Sequence, residues 1–140
     1  MIAYQTTLTG ISPRQLEGFF VGWPDPPSPA THLRILEGSA FVVLALEGDR
    51  VVGFVTAISD GVLSAYISLL EVLPEYQRRG VGRELMQQLM QRINALLEGL
   101  YMIDVLCDED VLSFYEQLGF EAAGGAMIRR YQHQSAQSRG

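Results

Sequence analysis

The residues best suited to chemistry in this chain concentrate in one short run. Gln77-Arg78-Arg79-Gly80-Val81-Gly82-Arg83 sets three arginines within six positions, beside two glycines. An amphipathic stretch follows at once. Glycines at a helix start let backbone N–H groups approach an anion closely. The first-turn N–H groups have no intrahelical acceptor, and the helix dipole adds positive potential. With Arg78, Arg79 and Arg83 adding full charges, the run is expected to cradle a diphosphate. A dinucleotide fingerprint would need a third glycine at position 85, where Leu85 stands. A P-loop would need Gly-Lys before Ser or Thr, but the chain has no Lys; all 10 basic residues are Arg. The competing reading is structural: Gly80 and Gly82 serve a tight turn and close helix packing.

The elements that must position this run follow from periodicity. From Val81 to Leu97 the apolar residues Val81, Leu85, Met86, Leu89, Ile93, Leu96 and Leu97 recur at helical spacing, with Arg83, Glu84, Gln87, Gln88 and Arg92 opposite. Before the run, residues 40–47 and 51–59 read as strands joined at Gly48-Asp49. Asp60-Gly61 then turns the chain into a third strand over 63–73. After it, 101–107 reads as a strand and 108–118 as a helix closed by Gly119. A final pair of strands, 120–123 and 126–131, is expected to turn at Gly124-Gly125. Towards the N-terminus the expectations are a strand over 2–8, a helix from Ser12-Pro13 towards Phe20, and a second helix over 31–37. Trp23 to Pro29 holds four prolines in seven residues and must be an extended loop. The pattern predicts an α+β domain with a mixed sheet, in which the strand–helix–strand stretch 63–107 forms a parallel right-handed crossover. One domain over 1–132 and a flexible tail over 133–140 are expected.

Composition bounds the partners. The chain has 140 residues, 48% hydrophobic, with 16 acidic against 10 basic residues and a net charge of −6. That field has the wrong sign for nucleic acid or an anionic membrane surface. No apolar stretch approaches the roughly 20 residues that span a bilayer. The first residues lack a basic region followed by an apolar run, and the one cysteine, Cys107, cannot form an intrachain disulfide, so a cytoplasmic protein is expected. Cys107 reads as a buried, inert thiol. His32 and His133 stand alone, without metal-ligand spacing to other side chains, so no metal is expected.

Two segments resemble a known family. Gln77-x-x-Gly80-x-Gly82, after a strand ending Leu70-x-Val72-x-Pro74-x-Tyr76, resembles the acyl-CoA signature of the GNAT N-acetyltransferase superfamily. Phe114-Tyr115-Glu116-Gln117-Leu118-Gly119-Phe120 resembles that family's "FYEKLGF" element, at the usual distance downstream. The resemblance implies a GNAT-like α+β fold. It would have a mixed, largely antiparallel sheet of about six to seven strands, helices on both faces, and the parallel crossover at the acyl-CoA loop.

It further implies an N-acetyltransferase that moves acetyl from acetyl-CoA to a primary amine of a small molecule or peptide, in a ternary complex. The alternative is a non-catalytic acyl-CoA-binding module on the same fold. Cofactor contacts are expected from the loop residues Gln77, Arg78, Arg79, Gly80, Val81, Gly82 and Arg83, and from the free backbone around Leu70 and Val72. Tyr115 matches the family's usual general acid for the leaving thiolate and is also a cofactor contact, or else packs in the core. Glu71, the one carboxylate within the third strand of the meander, is either the general base or an outward-facing residue paired with Arg. The family often has Asn where Asp108 stands, and an ionised carboxylate cannot donate the hydrogen bonds of an amide. Trp23, Tyr66 and Ser68 are expected at the acceptor site, with Phe19 and Phe20 nearby. Asp108, Glu109 and Asp110 would form an acidic rim suited to a cationic acceptor, or simply a solvated helix start. A homodimer through the C-terminal strands is a further implication.

Overall fold

The computed structural model describes residues 1–130. The last residue of the final expected strand (Tyr131), His133 and the expected tail over 133–140 lie outside the described residues. Five strands form one sheet in the order β1-β2-β3-β4-β5. They are β1 (Ile2–Gln5), β2 (Phe41–Glu47), β3 (Arg50–Ser59), β4 (Ser64–Val72) and β5 (Met102–Val105). The first three pairings are antiparallel. Helix α2 (Val81–Leu96) separates β4 from β5, which lies beside it, and the sheet is mixed but mostly antiparallel.

Among the described residues the expected six to seven strands are five. Residues 121–129 carry no regular secondary structure. The physical reason lies in Ala122-Ala123-Gly124-Gly125-Ala126: small side chains offer a pleated sheet little to pack, and glycine loses the most backbone entropy on ordering. The expected helix from Ser12 is a single 3-10 turn, Pro13–Leu16. It cannot continue because Gly18 and Phe20 both take positive φ, +96° and +64°. Helix α1 (Pro29–Gly38) starts earlier than expected. Its N-cap Ser28 Oγ accepts from the Thr31 N–H at 3.2 Å, and Pro29 fills the first helical position, where a missing N–H costs nothing.

Both faces of the sheet centre are covered, so β2 and β3 are buried nearly throughout and read as continuous apolar runs. On one face Leu85, Met86, Leu89 and Ile93 of α2 are fully buried. On the other, Leu44 and Phe54 join Leu16, Phe20 and Leu36 in one apolar cluster. The chain packs as two compact units, Met1–Asp104 and a second that begins at Val105. The second unit holds a 3-10 turn at Glu109–Val111 and α3 (Leu112–Glu116). In it Tyr115 is 6% exposed and its ring meets Phe114 and Phe120 at 5.1 and 5.7 Å.

His32 on α1 is completely buried, and neither ring nitrogen has a hydrogen-bond partner. Its ring meets Phe54, Phe20 and Phe19 at 4.4, 4.9 and 5.3 Å. Desolvation holds its pKa down at about 4 from an ordinary 6.5; the nearby Leu16 carbonyl, outside hydrogen-bonding geometry, offsets only part of this. The folded state therefore resists the proton that the unfolded state takes up below pH 6.5, so stability falls as pH drops from 6.5 towards 4. Urea unfolding at pH 7 and pH 4.5 should show His32→Leu losing on the order of 2 kcal/mol less stability than the parent over that interval. Parallel losses would show that His32 is not buried as a neutral ring.

Candidate active site

Glycine 53 sets where α2 can sit. A Cβ there would lie 3.1 Å from Leu85 Cδ1, 3.2 Å from Val81 Cγ1 and 3.3 Å from the Glu71 carbonyl oxygen. The missing side chain eases the approach of the first turn of α2 to β3 beside β4, where Gly53 pairs with Val72; a Cβ would require these neighbours to give by a few tenths of an ångström. Nothing in the sequence reading singled out Gly53; a glycine inside a β-branched strand was the available signal for a close approach.

The connection from β4 to α2 is a 3-10 turn, Pro74–Tyr76, followed by extended Gln77. Arg78 (φ +63°) and Gly80 (φ +80°) then both adopt left-handed backbone. Gly80 is the N-cap of α2 and has no side chain to cap the first-turn N–H groups. Those donors, including Val81, Gly82 and Arg83, face outward from a 16-residue helix. Gln77 contributes differently from expectation. Its N–H donates to the Pro74 carbonyl at 3.3 Å, and its side-chain Nε2 donates to the Val72 carbonyl at 3.0 Å, tying the loop to the end of β4. Arg79 lies over the Tyr76 ring at 5.1 Å, and Tyr76 in turn donates to Glu47 at 3.0 Å. These contacts shape the loop, and its uncapped backbone donors and arginine-rich sequence suit an anion such as a diphosphate.

Beside the loop, Leu70, Glu71, Val72, Leu73, Pro74 and Gln77 line a cleft of about 370 Å³, closed from the other side by Gly18, Phe19 and Val21. Glu71 pairs across the sheet with Phe54 and so faces the α1 side, not α2. Its Oε1 accepts from the Phe20 N–H at 2.9 Å. Its Oε2 is buried without a hydrogen-bond partner. Burial pushes the carboxyl above the usual carboxylate range, and the Phe20 N–H opposes that shift. Of the two readings of Glu71, pairing with Arg is not what the fold provides: the ion pairs among the described residues are Arg14–Asp49, Arg50–Glu75 and Arg129–Asp108.

The segment facing Glu71 is held by an unusual backbone. Gly18 and Gly22 have φ +96° and +81°, which glycine takes freely. Phe20 between them has φ +64°, a conformation that costs a bulky residue about 1 kcal/mol or more. Its ring, 3% exposed, packs on His32 and Phe54. Phe20 is legible in the sequence only as an aromatic near the expected acceptor site; its backbone role has no sequence signal.

The other expected site residues are placed as follows. Trp23 packs edge-on to Phe20 at 4.9 Å and is 43% exposed. Tyr66 is exposed on β4 opposite Ile58. Ser68 stands at a bulge where Thr56 pairs with Leu69 and Ala57 with Ile67, and its hydroxyl bonds Thr56 Oγ1 at 2.7 Å. None of these three lines the cleft. In the second unit, Arg129 lies 3.8 Å from the Asp108 carboxylate. Cys107 is half-buried rather than buried, and burial, with Asp108 and Asp110, pushes its thiol up, away from the nucleophilic thiolate. Among the described residues no group of His, Cys, Asp or Glu is arranged to hold a metal ion, and no helix is long and apolar enough to cross a membrane.

The fold combines an open mixed sheet, an uncapped helix start after β4 and a cleft lined by one carboxylate beside it. The family model described as "Acetyltransferase (GNAT) family" matches residues 9–120, and the chain belongs to that family. The chain is similar to a candidate acetyltransferase of Deinococcus radiodurans R1, whose crystal structure superposes with a TM-score of 0.87 at 48% identity, covering 95% of this chain and 91% of that one. It is 31% identical over 103 residues to the uncharacterized N-acetyltransferase ycf52 of Porphyra purpurea, covering 71% of this chain and 58% of the relative. It is also 31% identical over 114 residues to histone acetyltransferase TAP1 of Glycine max, covering 73% and 48%. The chain thus spans about half to three-fifths of the length of these two curated relatives, and as little as 28% of another.

Gly53→Ala should displace the first turn of α2 on β3 by a few tenths of an ångström. The expected result is a loss of about 1–3 kcal/mol in urea unfolding, together with weaker binding of acetyl-CoA. An unchanged affinity would separate the helix seat from the ligand loop.

Proposed function

We propose that this chain is an acetyl-CoA-dependent N-acetyltransferase acting on a primary amine of a small molecule or peptide. The observation that carries the reading is Glu71, which lines a cleft beside an uncapped helix start and whose buried Oε2 has no hydrogen-bond partner. When bound, acetyl-CoA supplies an activated thioester and a diphosphate. The first-turn N–H groups of Val81, Gly82 and Arg83, with the Gly80 backbone and the Arg78 and Arg79 side chains, would bind the diphosphate, each charge-assisted bond adding about 1.5–3 kcal/mol. Gln77 would serve by fixing the loop, and the backbone of Leu70 and Val72 by pairing with the pantetheine arm.

Glu71 then acts as general base. An acceptor amine reaches the cleft mostly as its ammonium form. A carboxylate held above its usual pKa is better matched to taking that proton near neutral pH than an ordinary exposed Glu. Tyr115 is the proposed acid for the departing thiolate, resting on its match to the family motif and on its burial in an aromatic setting. Asp108 is the proposed contact at the position where the family often has Asn. Trp23, Tyr66 and Ser68 would act outside the cleft wall, in placing the rest of the acceptor.

Thiol release from acetyl-CoA with a panel of primary amines tests the reading. At least one acceptor should give turnover. With that acceptor, Glu71→Gln should lower kcat by about 100-fold or more, and Tyr115→Phe by at least about 10-fold. Full rate in Glu71→Gln would remove it as the base; tight acetyl-CoA binding without turnover across the panel would point to a binding module instead.

A further inference from the structure

We propose that Phe20 is a positioning residue for the reaction: its backbone N–H, set by a left-handed conformation, clamps one oxygen of Glu71 and leaves the other as the oxygen without a hydrogen-bond partner at the cleft wall. This rests on the reading of Glu71 as the base.

Three independent features meet at this residue. The first is the bond itself, Phe20 N–H to Glu71 Oε1 at 2.9 Å, across 51 residues of sequence. The second is the backbone, φ +64° at a residue that pays for it, between two glycines that do not. With φ in the ordinary negative range the peptide plane would rotate and the N–H would leave the carboxylate. The third is the anchoring of the ring. Phe20 is 3% exposed and meets Trp23, His32 and Phe54 at 4.9, 4.9 and 6.2 Å, so the side chain holds the strained backbone in place. A glycine at 20 would remove the strain and also the anchor, leaving the clamp free to move.

The electrostatics fit a clamp. Among the residues lining the cleft, Glu71 has the only ionisable side chain. Arg50 Nη2 comes within 3.5 Å of where a Gly18 Cβ would stand, but its guanidinium pairs with Glu75 at 3.2 Å. His32 meets the Phe20 ring, not the carboxylate, and stays neutral above about pH 4. The Phe20 N–H is thus the one donor that favours the charged form of Glu71 among the described residues. It leaves Oε1 occupied and Oε2 as the atom that can take a proton.

The test follows the bond directly. In the unmodified protein, the Phe20 amide proton shift and the Glu71 carboxyl carbon shift should titrate with the same midpoint, and the amide titration should vanish in Glu71→Gln. Replacing the Phe20 amide by an ester, through phenyllactate at position 20, should move the acid limb of the kcat/KM–pH profile to higher pH. Below that limb, kcat/KM should fall about tenfold. KM for acetyl-CoA should stay unchanged. Phe20→Leu, which keeps the N–H, should lower thermal stability but leave the limb in place. An amide proton that ignores the Glu71 titration, or an ester variant whose limb does not move, would overturn the proposal. Should no amine be acetylated, the proposed function fails by itself, while the paired shift titration still decides whether the clamp exists.

Discussion

The arrangement of this molecule depends on one close approach, α2 against Gly53. Helix ends carry only partial charges, and their pull on an anion falls off within the first turn. An uncapped helix start is therefore useful only if it is held to within a few ångströms of where the ligand must lie. Gly53 makes that possible, since its absent side chain lets Val81 and Leu85 settle on β3 next to the end of β4. The rest of α2 then buries Met86, Leu89 and Ile93 on the same face and fixes the helix axis. Gln77 closes the geometry by bonding back to Val72. Loop, helix and strand end are thereby tied into one corner.

The opposite face of the sheet is organised by a different balance. Phe54, Phe20, Phe19 and His32 make an aromatic cluster with little polar relief, and Glu71 is drawn into its margin. Three unfavourable features gather there: a desolvated carboxylate, a strained phenylalanine and a histidine without hydrogen bonds. Each is costly alone, and such costs concentrate where function needs a pre-set geometry. They are sustained by the apolar burial of Leu16, Leu36, Leu44 and Phe54 around them.

Much of this was legible beforehand. The α2 periodicity, the hairpin turns at Gly48-Asp49 and Asp60-Gly61, and the Arg-Gly run all gave elements close to those observed, because each rests on local pattern. The closing strands were not legible: 120–131 has a turn signal at Gly124-Gly125, but a turn specifies a hairpin only when its flanks can pack, and the residues next to this turn, Ala122, Ala123 and Ala126, offer little to pack. The Ser12 helix failed because its stop lies in backbone signs at Gly18 and Phe20 that residue types only half reveal. Glu71 was legible as a carboxylate in an apolar strand. Its partner was not, since a backbone N–H from 51 residues away leaves no trace in side-chain identity.

The central claim is that the helix start at 80–83 seats a diphosphate beside the β4 cleft. Calorimetric titration with acetyl-CoA and with acetyl-pantetheine, which keeps the thioester arm but lacks the diphosphate, tests it most directly. Acetyl-CoA should bind with a Kd on the order of micromolar, and acetyl-pantetheine about 100-fold more weakly or worse. Equal affinities for the two would contradict the account, because the uncapped helix start and its arginines would then contribute nothing to recognition.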